Sequence, residues 1–302
     1  MNKNISIIGV PMDLGQVRKG VDLGPNAIRL TGLIERLEQL SLDVVDLGDI
    51  EMDKVKKIRF GFNRNNENLR NLAPIVNGNL KLASKINEVI IAKRFPLILG
   101  GDHSIALGTI AGLGKHYNNL GVIWYDAHGD LNTTETTPSG NIHGMPLASS
   151  LGYGDKTLVE LKGYHPKIKP ENIVLIGTRS LDEGEKLLIK QLGIKVFTMS
   201  DIDHLGIKTV MEQTIKHLKS CDGVHLSLDL DGLDPHDAPG VGIPVMGGIT
   251  YRESRFAMEI LFNENIITSA EFVEVNPVLD TNNKTAKTAV DLICTLFGEQ
   301  LL

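Results

Sequence analysis

The sequence predicts an α/β protein with three α-β-α layers: a mostly parallel sheet of about eight strands, covered by helices on both faces. Two observations carry this prediction. Short apolar runs rich in valine and isoleucine recur along the chain of 302 residues, and longer amphipathic stretches lie between them. Strands of a parallel sheet are buried on both faces and therefore read as continuous apolar runs. Their alternation with helical stretches is typical of this architecture.

Eight apolar runs are the predicted strands, and most of them end in glycine, aspartate or asparagine. They are residues 5–10, 42–48, 95–101, 120–130, 172–180, 194–202, 223–232 and 269–277. Four of the stretches between them show helical apolar spacing. These are residues 24–40, 79–94, 254–263 and 285–302. The first of them has Pro25 one position inside its start, where the missing N–H of proline is tolerated.

Two polar stretches fit neither pattern. Residues 61–72 are rich in asparagine and are predicted to form a surface loop with a helical start. Residues 132–146 form a long, polar and irregular stretch, and loops of this kind often carry function. No internal repeat or linker divides the chain, so residues 1–302 are predicted to form a single catalytic domain.

Composition and charge narrow the function classes. The net charge of -6 argues against a nucleic-acid partner or an anionic membrane. It mildly favours a cationic small molecule, although solubility alone also explains it. Cys221 and Cys294 form neither a zinc motif nor a disulfide framework, so structural thiols are predicted. The first apolar run is too short for a signal peptide and no stretch reaches the length of a membrane span, so we expect a cytoplasmic protein.

Acidic and histidine side chains gather where the predicted strands end. Asp126, His128 and Asp130 alternate with small residues at the end of the run 120–130, so one face of an extended strand would carry all three. A bound cation would offset the cost of burying two carboxylates together. A hydrogen-bonded Asp–His pair at a strand end is the alternative that this stretch leaves open.

Two further strand ends add to this group. Asp229 and Asp231 are again spaced by two near the end of their run, and His103 follows a strand that breaks at two glycines. Open α/β sheets hold their sites at the carboxyl ends of the strands. The candidate metal ligands are therefore His103, Asp126, His128, Asp130, Asp229 and Asp231.

The chemistry of these six residues points to a pair of metal ions. Four carboxylates and two imidazoles exceed the needs of one tetrahedral zinc ion, but they suit two octahedral ions that share bridging carboxylates, and Mn2+ fits best. Such a pair can hold a water molecule as hydroxide near neutral pH, which indicates a hydrolase. Residues 240–248 have Val245 in place of the third glycine of a dinucleotide motif, and there is neither a P-loop nor a G-x-S-x-G elbow.

The motifs GGDHS (100–104), DAHGD (126–130) and LDLDGLDP (228–235) resemble, in order and separation, those of the ureohydrolase superfamily. Its members are binuclear manganese enzymes that hydrolyse guanidino groups. Residues 9–29, 126–146 and 274–277 further resemble the arginases within that superfamily. The resemblance covers essentially the whole chain, and the joint match is far more specific than any one motif.

The resemblance implies a role for each candidate ligand. One manganese ion would be held by His103, Asp126, Asp130 and Asp229. The other would be held by Asp126, His128, Asp229 and Asp231. Asp126 and Asp229 would bridge the two ions, and Asp130 would also orient the hydroxide between them.

Two further residues acquire catalytic roles by resemblance. His143 matches the histidine that transfers a proton, and Glu274 matches the carboxylate that binds the guanidinium. A histidine can protonate a leaving amine, and a carboxylate is the natural partner of a guanidinium. Without the resemblance, His143 reads as an ordinary loop histidine and Glu274 as a strand-end ion pair. Glu271 lies three residues before Glu274, so strand alternation predicts that it faces away from the site.

The polar loop implies the substrate. Its neutral hydroxyls and amides match arginase positions that contact an α-carboxylate. These residues are Asn132, Thr137, Ser139 and Asn141. Asp182 matches the residue near the α-amino group, although it also fits an ordinary acid at a helix N-terminus. Agmatine has no α-carboxylate, so the loop favours L-arginine, which would yield L-ornithine and urea.

One position departs from the family pattern. Ile243 stands where threonine is usual, and a polar group left unpaired there would cost about 1–3 kcal/mol, so slower turnover or weaker arginine binding is expected.

Three rival functions stay open. They are a ureohydrolase for agmatine or guanidinobutyrate, a non-catalytic metal-binding protein and a deacetylase-like hydrolase. The resemblance also implies a homo-oligomer, a trimer or a hexamer, of which we favour the hexamer.

Overall fold

The computed structural model describes residues 4–53 and 69–302. Its strands are β1 (Asn4–Val10), β2 (Asp43–Asp49), β3 (Phe95–Gly100), β4 (Leu120–Tyr125), β5 (Ile173–Thr178), β6 (Lys195–Thr198), β7 (Gly223–Asp229) and β8 (Ile267–Val273). They form one sheet in the order β2-β1-β3-β8-β7-β4-β5-β6. Every neighbouring pair in this order runs parallel. The α/β prediction and all eight predicted strands are confirmed.

The helices of the described residues cover both faces of the sheet. They are α1 (Gly24–Leu30), α2 (Leu33–Gln39), α3 (Leu72–Ile91), α4 (Ala106–Leu113), α5 (Pro146–Leu151), α6 (Lys156–Val159), α7 (Glu183–Leu192), α8 (Met199–His217), α9 (Tyr251–Glu264) and α10 (Lys284–Leu296). One apolar core joins α1, α2, α8, α9 and α10 to the sheet, and a second joins α3 to α7 to its other face. The predicted three layers are therefore confirmed.

Some predicted boundaries are wrong for identifiable reasons. The predicted helix 24–40 is two helices, because Gly32 adopts a φ of 85°, a left-handed conformation that no α-helix contains. The predicted strand 194–202 ends at Thr198, whose side chain forms a capping box with Asp201 and starts α8. Of the predicted loop 61–72, residues 61–68 lie outside the described residues, and α3 begins at Leu72.

Several predicted strands stop earlier than their apolar runs suggest, and this positions the site. β4 ends at Tyr125, before Asp126, and β7 ends at Asp229, before Asp231. β8 ends at Val273, and the next residue, Glu274, has a φ of 65°. The candidate site residues therefore lie at the carboxyl ends of the strands and on the turns that follow them. Among the described helices, none is both long and apolar enough to cross a bilayer.

Candidate active site

The ends of three central strands bring the first group of candidate ligands together. His103 follows β3, Asp126 follows β4 and Asp229 ends β7. The Nδ1 atom of His103 lies 3.1 Å from Asp126 Oδ2 and 3.2 Å from Asp229 Oδ2. Asp130, at a φ of 50°, reaches the same Nδ1 with its Oδ2 at 3.0 Å. Asp130 and Asp126 therefore converge because the backbone turns between them, and not, as predicted, because both lie on one face of an extended strand.

A second group adjoins the first. The Nδ1 atom of His128 lies 3.2 Å from Asp231 Oδ2 and 3.4 Å from Asp126 Oδ1. Asp126 therefore presents one carboxylate oxygen to each histidine, which is the arrangement of a ligand shared by two ions. Both groups bring ligand atoms close enough to hold a metal ion.

The first group contains a buried nitrogen atom without a hydrogen-bond partner, and this indicates that its residues fit a metal ion. His103 is 1% exposed, and its buried Nδ1 has no hydrogen-bond partner among the described residues. Three carboxylate oxygens surround that nitrogen at about 3 Å without hydrogen-bond geometry. A cation among these four atoms accounts for them, since imidazole nitrogen and carboxylate oxygen are both ligands of divalent transition metals.

The electrostatics of the cluster agree with this interpretation. Burial and the charges of neighbouring aspartates hold the pKa of Asp229 well above its usual range. Burial likewise raises the pKa of Asp231 to about 6. Burial acts on Asp126 in the same direction, but the adjacent imidazoles of His103 and His128 outweigh it and lower its pKa. The charged forms of these buried carboxyls are thus disfavoured in the protein alone, and bound cations would stabilise them.

Glu274 and His143 lie beside this cluster. Oε1 of Glu274 accepts the backbone N–H of His103 at 3.0 Å and lies 3.3 Å from His143 Nδ1. Burial would lower the pKa of His143, but the hydrogen bond to Glu274 and its charge outweigh that effect and raise the pKa to about 9. His143 is therefore protonated at neutral pH, and the pKa of Glu274 is lowered despite its burial, mainly by His143.

The predicted substrate loop forms one wall of a cavity above the cluster. The cavity has a volume of about 290 Å³. The predicted site residues that line it are His103, His128, Asp130, Asn132, Thr137, Ser139, Asn141, His143, Asp182, Asp229, Asp231 and Glu274. Asp126 lies beneath them, 1% exposed. The structure thus brings all the predicted site residues to one place.

Comparison with known proteins identifies the family. The Arginase family model matches residues 3–298. The arginase of Bacillus subtilis (strain 168) is 65% identical to the chain over 302 residues, covering 100% of both. The chain belongs to the arginase family. It is a hydrolase of that family, and the resemblance found in its motifs is confirmed.

Solved arginase structures share the fold. The native arginase of Bacillus caldovelox is 63% identical with a TM-score of 0.95, and the match covers 99% of each chain. An arginase of Entamoeba histolytica, solved in complex with L-ornithine, is 36% identical with a TM-score of 0.90 over 99% of each chain. The arginase-family fold is therefore kept across a wide range of identity.

A buried polar chain behind His103 was missed by the sequence analysis. Glu271 is fully buried and accepts a hydrogen bond from Ser227 Oγ at 2.7 Å, while that oxygen lies 2.8 Å from His103 Nε2. Since Ser227 donates to the carboxylate, it accepts from Nε2–H, which leaves Nδ1 free to bind a metal. The prediction that Glu271 faces away from the site is wrong. Strand alternation does not hold across the backbone turn at Glu274.

Glu185 is a second missed residue. It lines the cavity, and its carboxylate accepts the backbone N–H of Leu131 at 3.0 Å and that of Asp182 at 2.8 Å. Burial raises its pKa to about 7. The spacing of Asp182 and Glu185 in the sequence fits the capping box that the structure shows at the start of α7. Such a box is common at helix starts, so it does not by itself indicate a site residue. Glu185 ties the turn that carries Asp130 to the segment that carries Asp182.

Proposed function

We propose that the protein hydrolyses L-arginine to L-ornithine and urea with two Mn2+ ions as cofactors. The observation that carries this proposal is the placement of two histidine–aspartate groups, sharing Asp126, beside an ionised Glu274 in one cavity. The relatives named as arginases support the choice of substrate.

The proposed metal ligands divide into two sets. His103, Asp126, Asp130 and Asp229 would hold one ion. Asp126, His128, Asp229 and Asp231 would hold the other. Carboxylate and imidazole ligands suit Mn2+. When bound, the two ions would lower the pKa of a water molecule and so supply a nucleophile at neutral pH.

Glu274 is proposed to bind the substrate guanidinium. A guanidinium stays protonated at all working pH values and presents parallel N–H donors, which a carboxylate accepts in pairs. Glu274 is 3% exposed, and its pKa is lowered, so it is charged at neutral pH. Its position next to His103 would place the guanidinium carbon beside the metal cluster.

His143 is proposed to supply the proton that the departing amine needs. Its raised pKa of about 9 keeps it protonated at neutral pH, and its Nδ1 lies 3.3 Å from the guanidinium-binding carboxylate. A general acid must lie within hydrogen-bond reach of the atom it protonates. The side chain is 14% exposed, so it can exchange its proton with solvent after each cycle.

The loop is proposed to recognise the amino-acid end of the substrate. Its hydroxyls and amides can donate hydrogen bonds to an α-carboxylate without adding charge. The donors are Asn132, Thr137, Ser139 and Asn141. The Asn132 Nδ2 group donates to Asp182 Oδ2 at 2.8 Å, so the loop also orients the carboxylate proposed to face the α-amino group. These residues would distinguish L-arginine from agmatine.

Urea release tests the proposal. The chelated protein is reloaded with Mn2+, and L-arginine, agmatine and 4-guanidinobutyrate are compared in parallel, each with a metal-free control. Urea from L-arginine alone, lost on chelation, is the expected result. Activity mainly on agmatine would keep the metal chemistry but overturn the role of the loop. No urea from any of the three substrates would overturn the proposed function. Cytoplasmic location and assembly into a hexamer or trimer stay predictions from the sequence.

A further inference from the structure

Gln16 is a buried residue beside the site that the motifs and the metal cluster do not explain. It lies in the loop after β1, is 4% exposed, and its Nε2 donates to Glu274 Oε2 at 2.7 Å. The other Glu274 oxygen accepts from the backbone of His103. The two carboxylate oxygens are thus held by donors from two different segments of the chain.

The chemistry of the pair fixes the orientation of the Gln16 amide. An ionised carboxylate only accepts hydrogen bonds, so the NH2 group must face Glu274 and Oε1 must face away. Oε1 is buried and has no hydrogen-bond partner among residues 4–53 and 69–302. It lies against Gly242, where an added Cβ would come within 2.5 Å of it. Gly242 therefore leaves the space that the amide needs.

The backbone around Gln16 is fixed by the site as well. The N–H of Gly15 donates to Asp102 Oδ2 at 2.8 Å, and its carbonyl accepts the N–H of His143 at 3.2 Å. The loop after β1 is thus tied to the turn that carries His103 and to the segment that carries His143. Such support holds a side chain in one conformation before any substrate binds.

We propose that Gln16 is a positioning residue for the substrate guanidinium: its amide holds the Glu274 carboxylate in the orientation that faces the cavity, and Gly242 provides the room for that amide. This inference rests on the proposed function, because it is there that Glu274 is assigned to the guanidinium. Gln16 itself would not touch the substrate. Through the contact between Gln16 and Gly242, the proposed guanidinium site would include the residue that precedes Ile243.

The experiment compares arginine kinetics of wild type, Gln16→Met and Gly242→Ala. Losing a hydrogen bond to a charged group predicts a rise in KM for L-arginine on the order of tenfold in Gln16→Met, with a smaller change in kcat. The inhibition constant of L-norvaline, whose side chain is uncharged, should change less than about twofold. Gln213→Met, an exposed glutamine on α8, is the matched control.

Gly242→Ala tests the same role without altering Gln16. Its methyl group would displace the amide, so KM for L-arginine should rise as it does in Gln16→Met. In a Gln16→Ala background no amide remains to be displaced, so Gly242→Ala should change KM for L-arginine by less than about twofold. The two substitutions should therefore be non-additive, as expected for residues in contact.

Three results would overturn the inference. They are an unchanged KM in Gln16→Met, a parallel rise of the KM and the L-norvaline constant, and additive effects of Gly242→Ala and Gln16→Ala. Wild-type urea release in the same series tests the proposed function separately. An active wild type with unshifted variants overturns only the role of Gln16, whereas an inactive wild type overturns the function and this inference with it.

Discussion

The candidate metal cluster and the predicted substrate loop lie at the same cavity, but their polar groups differ in whether the protein itself supplies partners. In the cluster, Asp126 and Asp229 are almost fully buried, and burial together with the neighbouring aspartates disfavours the charged form of Asp229. In the loop, the side-chain oxygens of Thr137 and Ser139 accept the backbone N–H groups of Gly140 and Asn141, at 3.0 and 3.2 Å. The cluster is unsatisfied without a cation, while these loop groups already have partners within the protein.

In the proposed function this difference gives the two regions different roles. The buried cluster would supply the chemistry and would therefore act on any guanidino substrate. The loop of neutral donors would supply recognition and would therefore act only on substrates that carry the matching group. Variants in the cluster should therefore affect all guanidino substrates alike, and variants in the loop should separate them.

The largest expected effect is that of Asp126→Asn. Asp126 faces both histidines, so its loss should impair both proposed metal positions, and urea release from every guanidino substrate should fall by more than about a hundredfold. Steady-state assays with saturating Mn2+ measure this, with Asp53→Asn, at an exposed ion pair, as the control. A variant that keeps most of its activity would remove the cluster from the mechanism.

The second effect is a pH dependence at His143, where the two regions meet. The folded protein raises the pKa of His143 from 6.5 to about 9, so its protonated form adds stability below pH 6.5 that is lost as the pH rises to about 9. In metal-free protein, the stability advantage of wild type over His143→Asn should fall by about 3 kcal/mol across this window. Denaturant titrations at several pH values give the difference in unfolding free energy between wild type and His143→Asn. A difference that does not change with pH would contradict the raised pKa of His143.

The third effect should separate the two regions. Asn132→Ala removes a donor of the loop, so kcat/KM for L-arginine should fall about tenfold while any activity on agmatine changes less than about twofold. Competition between the two substrates measures the ratio directly. Equal losses on both substrates would show that the loop supports the cluster and does not recognise the α-carboxylate.

The smallest effect is expected at Ile243, which lines the cavity and is 42% exposed. Replacing it with threonine adds the hydroxyl that the resemblance implies at this position, and kcat/KM for L-arginine should rise by up to about tenfold. Turnover and arginine binding are measured together. If both stay unchanged in Ile243→Thr, the departure at this position has no functional consequence.

The sequence predicted the residues of the cluster better than the residues that hold them in place through hydrogen bonds. Acidic residues at strand ends are visible in the order of the chain, so the candidate ligands can be identified from the sequence alone, although Asp130 reaches the cluster through a left-handed turn. Glu271 was misplaced because alternation fails at the turn of Glu274, and the helix 24–40 was overlong because Gly32 breaks it. Glu185 and Gln16 act through hydrogen bonds to distant segments, and such pairings depend on the tertiary fold.

The Mn2+ content of the chain decides whether the candidate cluster is a metal centre. Protein stripped with a chelator is titrated with Mn2+, and bound metal and urea release from L-arginine are followed together. We expect two bound ions per chain, with activity appearing as the sites fill, and a loss of both bound metal and activity in Asp126→Asn. Full urea release from metal-free protein, or filled sites in Asp126→Asn, would contradict it.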